Sequence, residues 1–124
     1  MAKKILVVDD EPHIVKTIAS RLMSKNYEVV AAYDGVQAIA KARKEKPDLI
    51  ILDIKMPAGG GVSVYESLKD LIDTAITPVI FITAYPSEET RQKVLEMGAE
   101  DFITKPFEPL DLLAKVRKAL GEDV

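Results

Sequence analysis

The sequence contains no cysteine and a single histidine, His13. Without thiols the chain can form neither a disulfide framework nor a thiolate metal site, and a reducing compartment suits it. No apolar run approaches the length needed to cross a membrane. The short apolar run behind the first few residues ends in acid, unlike a signal peptide. These absences predict a soluble domain of the cytoplasm that makes no contact with membranes.

An excess of basic residues is also missing. The 124 residues include 17 Lys and Arg against 20 Asp and Glu, a net charge of −3. This balance argues against a nucleic-acid footprint, and we expect no direct binding of nucleic acid. With 48% hydrophobic and 30% charged residues, the composition is that of a globular chain. We therefore expect one domain over residues 1–124, without a linker.

Strand-like and helix-like segments alternate five times along the chain. Apolar segments predict strands at residues 4–9, 28–32, 49–52, 78–83 and 101–104. The first and third are almost continuously apolar, as in central parallel strands covered on both faces, whereas the fifth alternates and suits a sheet edge. Five βα units in a row predict a three-layer α/β domain with a parallel sheet and right-handed crossovers.

Helix signals lie between the predicted strands. Pro12 and Pro109 suit the first turns of helices, and Asp34 with Gln37 three residues later forms a capping-box pattern. A fourth helix is expected over residues 87–97. Apolar residues at helical spacing mark the buried faces of the first, third and fifth helices: Ile14, Ile18, Leu22, Val64, Leu68, Leu71, Leu113, Val116 and Leu120.

The residues at the ends of the predicted strands have an unusual chemistry. Asp9 and Asp10 follow the first strand, Asp53 follows the third, Thr83 ends the fourth and Lys105 follows the fifth. Ligands of such sheets bind at the carboxyl ends of the strands. Carboxylates that converge there repel one another and resist burial, so something must compensate for them. Oxygen ligands without nearby Cys or His suit Mg²⁺, and an amine with a hydroxyl suits phosphoryl oxygens.

Each of these residues also has an ordinary interpretation, as a helix cap, a loop acid, a strand residue or a surface charge. The set indicates a single chemistry. The segments LVVDDEP, LIILDIKMP, VIFITA and DFITKPF resemble, in order and over essentially the whole chain, the signature segments of the response-regulator receiver family of two-component signalling. This resemblance implies a flavodoxin-like fold: one doubly wound five-stranded parallel sheet in the order 2-1-3-4-5, flanked by five helices.

The resemblance also implies roles for the acidic residues. Asp53 matches the phosphoacceptor, which takes a phosphoryl group from a histidine of a sensor kinase. Asp10 and Asp53 match the direct Mg²⁺ ligands, together with the backbone carbonyl of Lys55, and Asp9 matches the acid that holds the ion through water. The domain is then a signalling switch and not an enzyme.

Further matches concern phosphoryl binding and switching. Thr83 and Lys105 match the groups that grip the phosphoryl oxygens, and Phe102 matches an aromatic switch position beside Thr83. The Lys105–Pro106 peptide bond matches one that is cis in the family. Phosphorylation is expected to remodel the face made by helix four, strand five and helix five. The implied partners are a sensor histidine kinase or histidine phosphotransfer protein and a downstream protein target, with the chain a monomer or a phosphorylation-dependent dimer.

The chain departs from the family pattern in two places. Gly59, Gly60 and Gly61 stand where an acidic residue usually precedes the last glycine, which predicts a looser loop because three glycines lose more entropy on ordering. Lys55 and Tyr85 lie two residues past Asp53 and Thr83, where the family controls the access of water. Neither offers an amide or carboxylate that could orient water, so we expect slow self-dephosphorylation with Tyr85 shielding the site.

Two other functions fit the predicted fold. An aspartate-nucleophile phosphohydrolase would need two acids separated by one residue after the first strand, whereas the acids here are adjacent and the isolated Asp53 follows the third. A flavodoxin-like nucleotide binder would need a phosphate loop rich in Ser, Thr and Gly after the first strand, where this chain has DDEP. The sequence leaves open whether the chain is a stand-alone regulator or a receiver from a longer protein.

Overall fold

The computed structural model describes residues 2–56 and 60–122. Five strands lie where the apolar segments predict them: β1 Lys4–Val8, β2 Glu28–Ala32, β3 Leu49–Asp53, β4 Val79–Thr83 and β5 Asp101–Thr104. Residues 57–59, which belong to the glycine-rich loop discussed above, lie outside the described residues.

The five strands form one parallel sheet. Their order is β2-β1-β3-β4-β5, which confirms the predicted doubly wound arrangement and places β5 at an edge. The register sets Leu52 of β3 beside Phe81 of β4, and Phe81 beside Phe102 of β5. Because neighbouring parallel strands run in the same direction, the carboxyl ends of β1, β3, β4 and β5 all meet at one edge of the sheet.

Five helices cover the two faces of this sheet: α1 Pro12–Met23, α2 Gly35–Glu45, α3 Gly60–Lys69, α4 Glu88–Glu96 and α5 Pro109–Ala119. Successive side chains of a strand point to opposite faces. Ile5 and Val7 therefore pack in the same core as α1 and α5, whereas Leu6 and Val8 pack with α2, α3 and α4. In the described part of the chain no helix is both long and apolar enough to cross a membrane.

Helix α2 begins as the capping pattern predicts. The Oδ1 atom of Asp34, the N-cap residue, accepts a hydrogen bond of 2.8 Å from the N–H of Gln37. The Oε1 atom of Gln37 in turn accepts a bond of 3.0 Å from the N–H of Tyr33, one residue before the cap. The two side chains together close the turn between β2 and α2.

Helix α3 ends earlier than its apolar spacing predicts. It stops at Lys69, so Leu71, which was expected on the buried helical face, lies in the turns that follow. Lys69 Nζ donates to the carbonyl oxygen of Thr77 at 2.7 Å, and the hydroxyl of Thr74 donates to the carbonyl oxygen of Leu68. These side-chain bonds satisfy carbonyls in and after the last helical turn, which favours a turn over further helix.

Two glycines bring the backbone of α3 close to the end of β3. Gly60 has a φ of +72°, where other residues are strained. A Cβ atom on Gly61 would lie 2.1 Å from the carbonyl oxygen of Asp53, and the N–H of Gly61 donates to the carbonyl of Ile54 at 2.8 Å. The close approach of these two segments therefore depends on the missing side chains.

We expect Gly61→Ala to lower the free energy of unfolding by about 1–3 kcal/mol, the usual penalty for overpacking a buried position. The added methyl group meets backbone atoms, which cannot move aside as a side chain end would. Urea unfolding followed by circular dichroism measures the loss. Ser63→Ala, at an exposed position of the same helix, is the control and should change stability by less than about 0.5 kcal/mol. Equal midpoints for Gly61→Ala and the wild type would contradict the steric argument.

Candidate functional site

The carboxyl edge of the sheet brings together the side chains that the sequence singled out. Asp53 and Thr83 are the last residues of β3 and β4, Asp9 directly follows β1, and Lys105 directly follows β5. Asp9, Asp53 and Thr83 are buried, each at most 2% exposed. The apolar strands thus deliver charged and hydroxyl groups to one partly buried point.

Three carboxylates converge there. Asp9, Asp10 and Asp53 each place a carboxylate oxygen within 4.8 Å of the others. Asp9 and Asp53 lie in the floor of the site, and Asp10 is exposed at its rim. Asp10 is therefore the carboxylate that solvent reaches most easily.

Lys105 is the cation that faces this cluster. Its Nζ atom lies 2.7 Å from Asp9 Oδ2 and 3.6 Å from Asp53 Oδ2. A third carboxylate, Glu11 Oε1, also lies 3.6 Å from this Nζ atom. The role of Glu11 was not predicted, although it stands next to the acidic pair in LVVDDEP. One ammonium group is thus shared among three acids.

The pKa values of Asp53 and Lys105 reflect the balance of charge in the site. Burial, together with the neighbouring charge of Asp9, raises the pKa of Asp53 to about 6, against the opposing effect of Lys105. Burial lowers the pKa of Lys105, but its hydrogen bond with Asp9 and the charges of Asp53, Asp9 and Glu11 outweigh burial and raise it. The lysine therefore stays charged at neutral pH, yet it does not fully offset the buried acids.

The donor set fits a hard divalent cation. Asp9 Oδ2 is a buried oxygen whose partner in the described residues is the Lys105 ammonium group, 2.7 Å away, which also lies near Asp53 and Glu11. The three clustered acids offer carboxylate oxygens and neither sulfur nor imidazole, and oxygen ligands are what Mg²⁺ prefers. Asp9, Asp10 and Asp53 are the residues whose side chains could hold such an ion.

Backbone groups and two side chains shape the mouth of the site. The N–H of Lys55 donates to Asp53 Oδ1 at 3.3 Å, and the N–H of Tyr85 donates to Thr83 Oγ1 at 3.1 Å. Lys55 Nζ lies 5.9 Å from the centre of the Tyr85 ring, which bridges the segment after β3 to the segment after β4. Tyr85 is 71% exposed, so its ring is not part of the buried floor of the site.

Phe102 lies in the core next to this edge. Its side chain is only 6% exposed, and it belongs to the same apolar cluster as Phe81. It also lines a cavity of about 550 Å³ between α4 and α5, together with residues such as Arg91, Pro106 and Lys115. The Lys105–Pro106 peptide bond is cis in this structure.

The sequence matches the family described as the response regulator receiver domain over residues 5–117. It is 42% identical over 120 residues to PhoP, the alkaline phosphatase synthesis transcriptional regulatory protein of Bacillus subtilis, a match that covers 97% of this chain and 49% of PhoP. It is 43% identical over 117 residues to the response regulator PleD of Caulobacter vibrioides, covering 94% of this chain and 26% of PleD. The chain thus spans about half or less of these relatives.

Solved structures show the same fold. The chemotaxis protein CheY4 of Vibrio cholerae superposes with a TM-score of 0.90 at 33% identity, covering 96% of this chain and 99% of CheY4. The BeF3-activated N-terminal receiver domain of RstA from Klebsiella pneumoniae superposes with a TM-score of 0.87 at 34% identity, covering 95% of this chain and 98% of that domain.

We expect the cost of burying the ionised Asp53 carboxylate, together with its repulsion by Asp9, to appear as a pH dependence of stability. Its pKa rises from 3.8 in the unfolded chain to about 6 in the fold, so the native state binds more protons between these values. The stability that this group contributes is present below about pH 4 and is lost as pH rises through 6. In buffer with a chelator, Asp53→Asn should therefore be more stable than the wild type at pH 7.5 and should lose that advantage near pH 4.

Urea unfolding of the two proteins at both pH values, with the chelator present throughout, measures this difference. Because the two proteins share all their other titratable groups, the contribution of distant groups to the pH dependence cancels in the difference. A difference in stability that is the same at both pH values, or that favours the wild type at pH 7.5, would show that the Asp53 charge is not destabilising.

Proposed function

The chain belongs to the response regulator receiver domain family, and on that premise we propose that residues 1–124 form a phosphorylation-dependent switch of a two-component phosphorelay. Receiver domains bind Mg²⁺ at their acidic site and interact with histidine kinases and downstream effectors. The observation that carries the proposal is the position of Asp53, a buried carboxylate at the end of a central strand, between two further acids and Lys105. We propose Asp53 as the phosphoacceptor.

Transfer of the phosphoryl group to Asp53 requires little chemistry from the protein itself. An oxygen of Asp53 attacks the phosphorus of a phosphohistidine, the P–N bond breaks, and the imidazole leaves with the electron pair, which yields an acyl phosphate on Asp53. A Mg²⁺ ion held by Asp9, Asp10, Asp53 and the Lys55 carbonyl would supply neutralisation of phosphoryl charge. Lys105 lies 3.6 Å from Asp53 and can bind a phosphoryl oxygen after releasing part of its contact with the acids.

Thr83 connects the site to the rest of the fold. Phosphorylation adds roughly 1.5 to 2 negative charges beside its hydroxyl, which can then donate to a phosphoryl oxygen. Thr83 Oγ1 now accepts the N–H of Tyr85, so a shift of Thr83 draws on the segment that leads into α4. Phe102 lines the cavity between α4 and α5, and the space that Thr83 vacates becomes available to its ring.

The switch needs a phosphoryl donor and a downstream partner. The phosphoryl donor is a sensor histidine kinase or a histidine phosphotransfer protein, and the output is a protein that binds the face of α4, β5 and α5. Binding would follow a population shift between two arrangements of this face, with the covalent charge as the biasing group. The domain acts as a switch and not as an enzyme, in the cytoplasm, without direct contact with nucleic acid, as a monomer or a phosphorylation-dependent dimer.

We expect one phosphoryl group on the wild-type chain after incubation with Mg²⁺ and a small acyl-phosphate donor, and none on Asp53→Asn. The carboxylate is the nucleophile, and an amide cannot replace it. Intact mass spectrometry measures the gain, which a chelator should abolish. Asp111→Asn, at an exposed acid of α5, is the matched control and should be modified like the wild type. A wild type without mass gain would overturn the proposed function.

We also expect slow hydrolysis of the acyl phosphate, which Tyr85→Ala should accelerate several-fold by opening the mouth to water. Lys55→Asn should accelerate it as well, because it removes the cation beside the Tyr85 ring and introduces an amide that can orient water. The decay of the phosphorylated mass with time measures both rates. Tyr33→Ala, which truncates an exposed tyrosine directly after β2, is the control. Unchanged rates in both Tyr85→Ala and Lys55→Asn would rule out shielding.

A further inference from the structure

Helix α4 is weakly held by the core. Of its nine residues Glu88–Glu96, Val94 is the buried one, and most of the others are exposed. A helix with so few buried apolar contacts is easily displaced. Since α4 borders the cavity that Phe102 lines, the contacts that do hold it determine which part of that face can move.

One such contact joins the end of α4 to α3. The hydroxyl of Tyr65, on α3, donates a hydrogen bond of 3.1 Å to the carbonyl oxygen of Met97, the C-cap residue of α4. Tyr65 is 2% exposed. The last carbonyls of a helix have no partner within the helix, and a buried hydroxyl without a partner would be costly. The bond therefore satisfies two groups that each need it.

The chain leaves room for this phenol. Gly98, directly after Met97, has a φ of +109°, which excludes most side chains, and a Cβ atom there would lie 3.0 Å from the Tyr65 hydroxyl oxygen. The glycine thus ends α4 and also admits the tyrosine. The absence of a side chain at Gly98 therefore lets the Tyr65 hydroxyl approach the end of α4.

The ring of Tyr65 is itself fixed on two sides. Its centre lies 5.3 Å from that of the Phe81 ring, at an interplanar angle of 52°. Lys69 Nζ also lies 5.3 Å from the centre of the Tyr65 ring and donates to the carbonyl oxygen of Thr77. Phe81 is paired in register with Phe102, so the tyrosine belongs to the apolar layer that contains the proposed switch residue.

The opposite end of α4 follows Thr83 and Tyr85, where the proposed phosphoryl group would act. We infer that Tyr65 is a positioning residue that pins the C-terminal end of α4 to α3, so that switching moves the N-terminal end of α4 about this fixed point. The pin, which is the hydrogen bond between the Tyr65 hydroxyl and the Met97 carbonyl, is a property of the fold alone. The movement about it rests on the proposed function.

The first experiment tests the pin without phosphorylation. Tyr65→Phe removes the hydroxyl and keeps the ring. We expect hydrogen exchange of the amides at the end of α4, those of Met97, Gly98 and Ala99, to accelerate about fivefold, the effect of losing one hydrogen bond. Tyr27→Phe is the matched control, since it removes a hydroxyl that bonds to Glu122 on the other side of the sheet. It should leave these amides unchanged.

Unchanged exchange at these amides in Tyr65→Phe would overturn the pin. Equal acceleration in both variants would also overturn it, because the effect would then be a general loss of stability and not a local contact. Urea unfolding of both variants measures that general loss directly.

The second experiment tests the movement after phosphorylation with an acyl-phosphate donor. In the wild type we expect exchange to change in residues 86–92 and to stay constant in residues 93–99. In Tyr65→Phe the change on phosphorylation should extend into residues 93–99. A general loss of stability would accelerate exchange in these residues with or without phosphorylation, so it could not produce this redistribution. Equal changes along the whole helix in the wild type would overturn the fixed point. A wild type that gains no phosphoryl group would overturn the proposed function and this movement, while the first experiment would still decide the pin.

Discussion

The contact of Lys105 with two buried carboxylates is the interaction on which the rest of the structure depends. A single ammonium group lies 2.7 Å from Asp9 and 3.6 Å from Asp53, in a pocket that burial closes to most solvent. It opposes, but does not cancel, the effects of burial and of the Asp9 charge, which together raise the pKa of Asp53 to about 6. An excess of negative charge favours a further cation, which is consistent with the Mg²⁺ ion in the proposed function.

The apolar sheet is what makes this costly arrangement stable. β1, β3 and β4 are buried along almost their entire length, and each fully buried Leu, Ile or Phe contributes about 1.5–3 kcal/mol. Asp9 directly follows β1, and Asp53 and Thr83 end β3 and β4, so fully buried strands hold the buried polar groups of the site. Because side chains alternate between the two faces, the strand that positions Asp53 also carries Leu52 and Ile51 into opposite cores.

The fold and most of the site follow from patterns that are local in the sequence. Five alternating apolar and helical segments predict the parallel sheet, and Asp34 with Gln37 predicts the start of α2. That Asp9 and Asp53 meet at one edge depends on the strand order, which the resemblance to the receiver family implies. What the sequence could not provide depends on distances between remote segments. The reach of Lys105 to Glu11, the steric need for Gly61 and the early end of α3 before Leu71 all result from how separate elements pack. The spacing of residues along the sequence does not predict such contacts.

The unequal attachment of α4 links the charge at the site to the surface beyond it. The segment before α4 is bonded to the site through the backbone N–H of Tyr85, which donates to Thr83 Oγ1, whereas the end of the helix is bonded to α3 through the Tyr65 hydroxyl. The sheet between them is close-packed and resists gradual deformation. In the proposed switch, a change of charge at Asp53 would be accommodated where few side chains are buried, at the start of α4 and in the cavity beside Phe102. Under that proposal, a movement confined to the start of α4 would be enough to convert the charge on Asp53 into a change of surface shape.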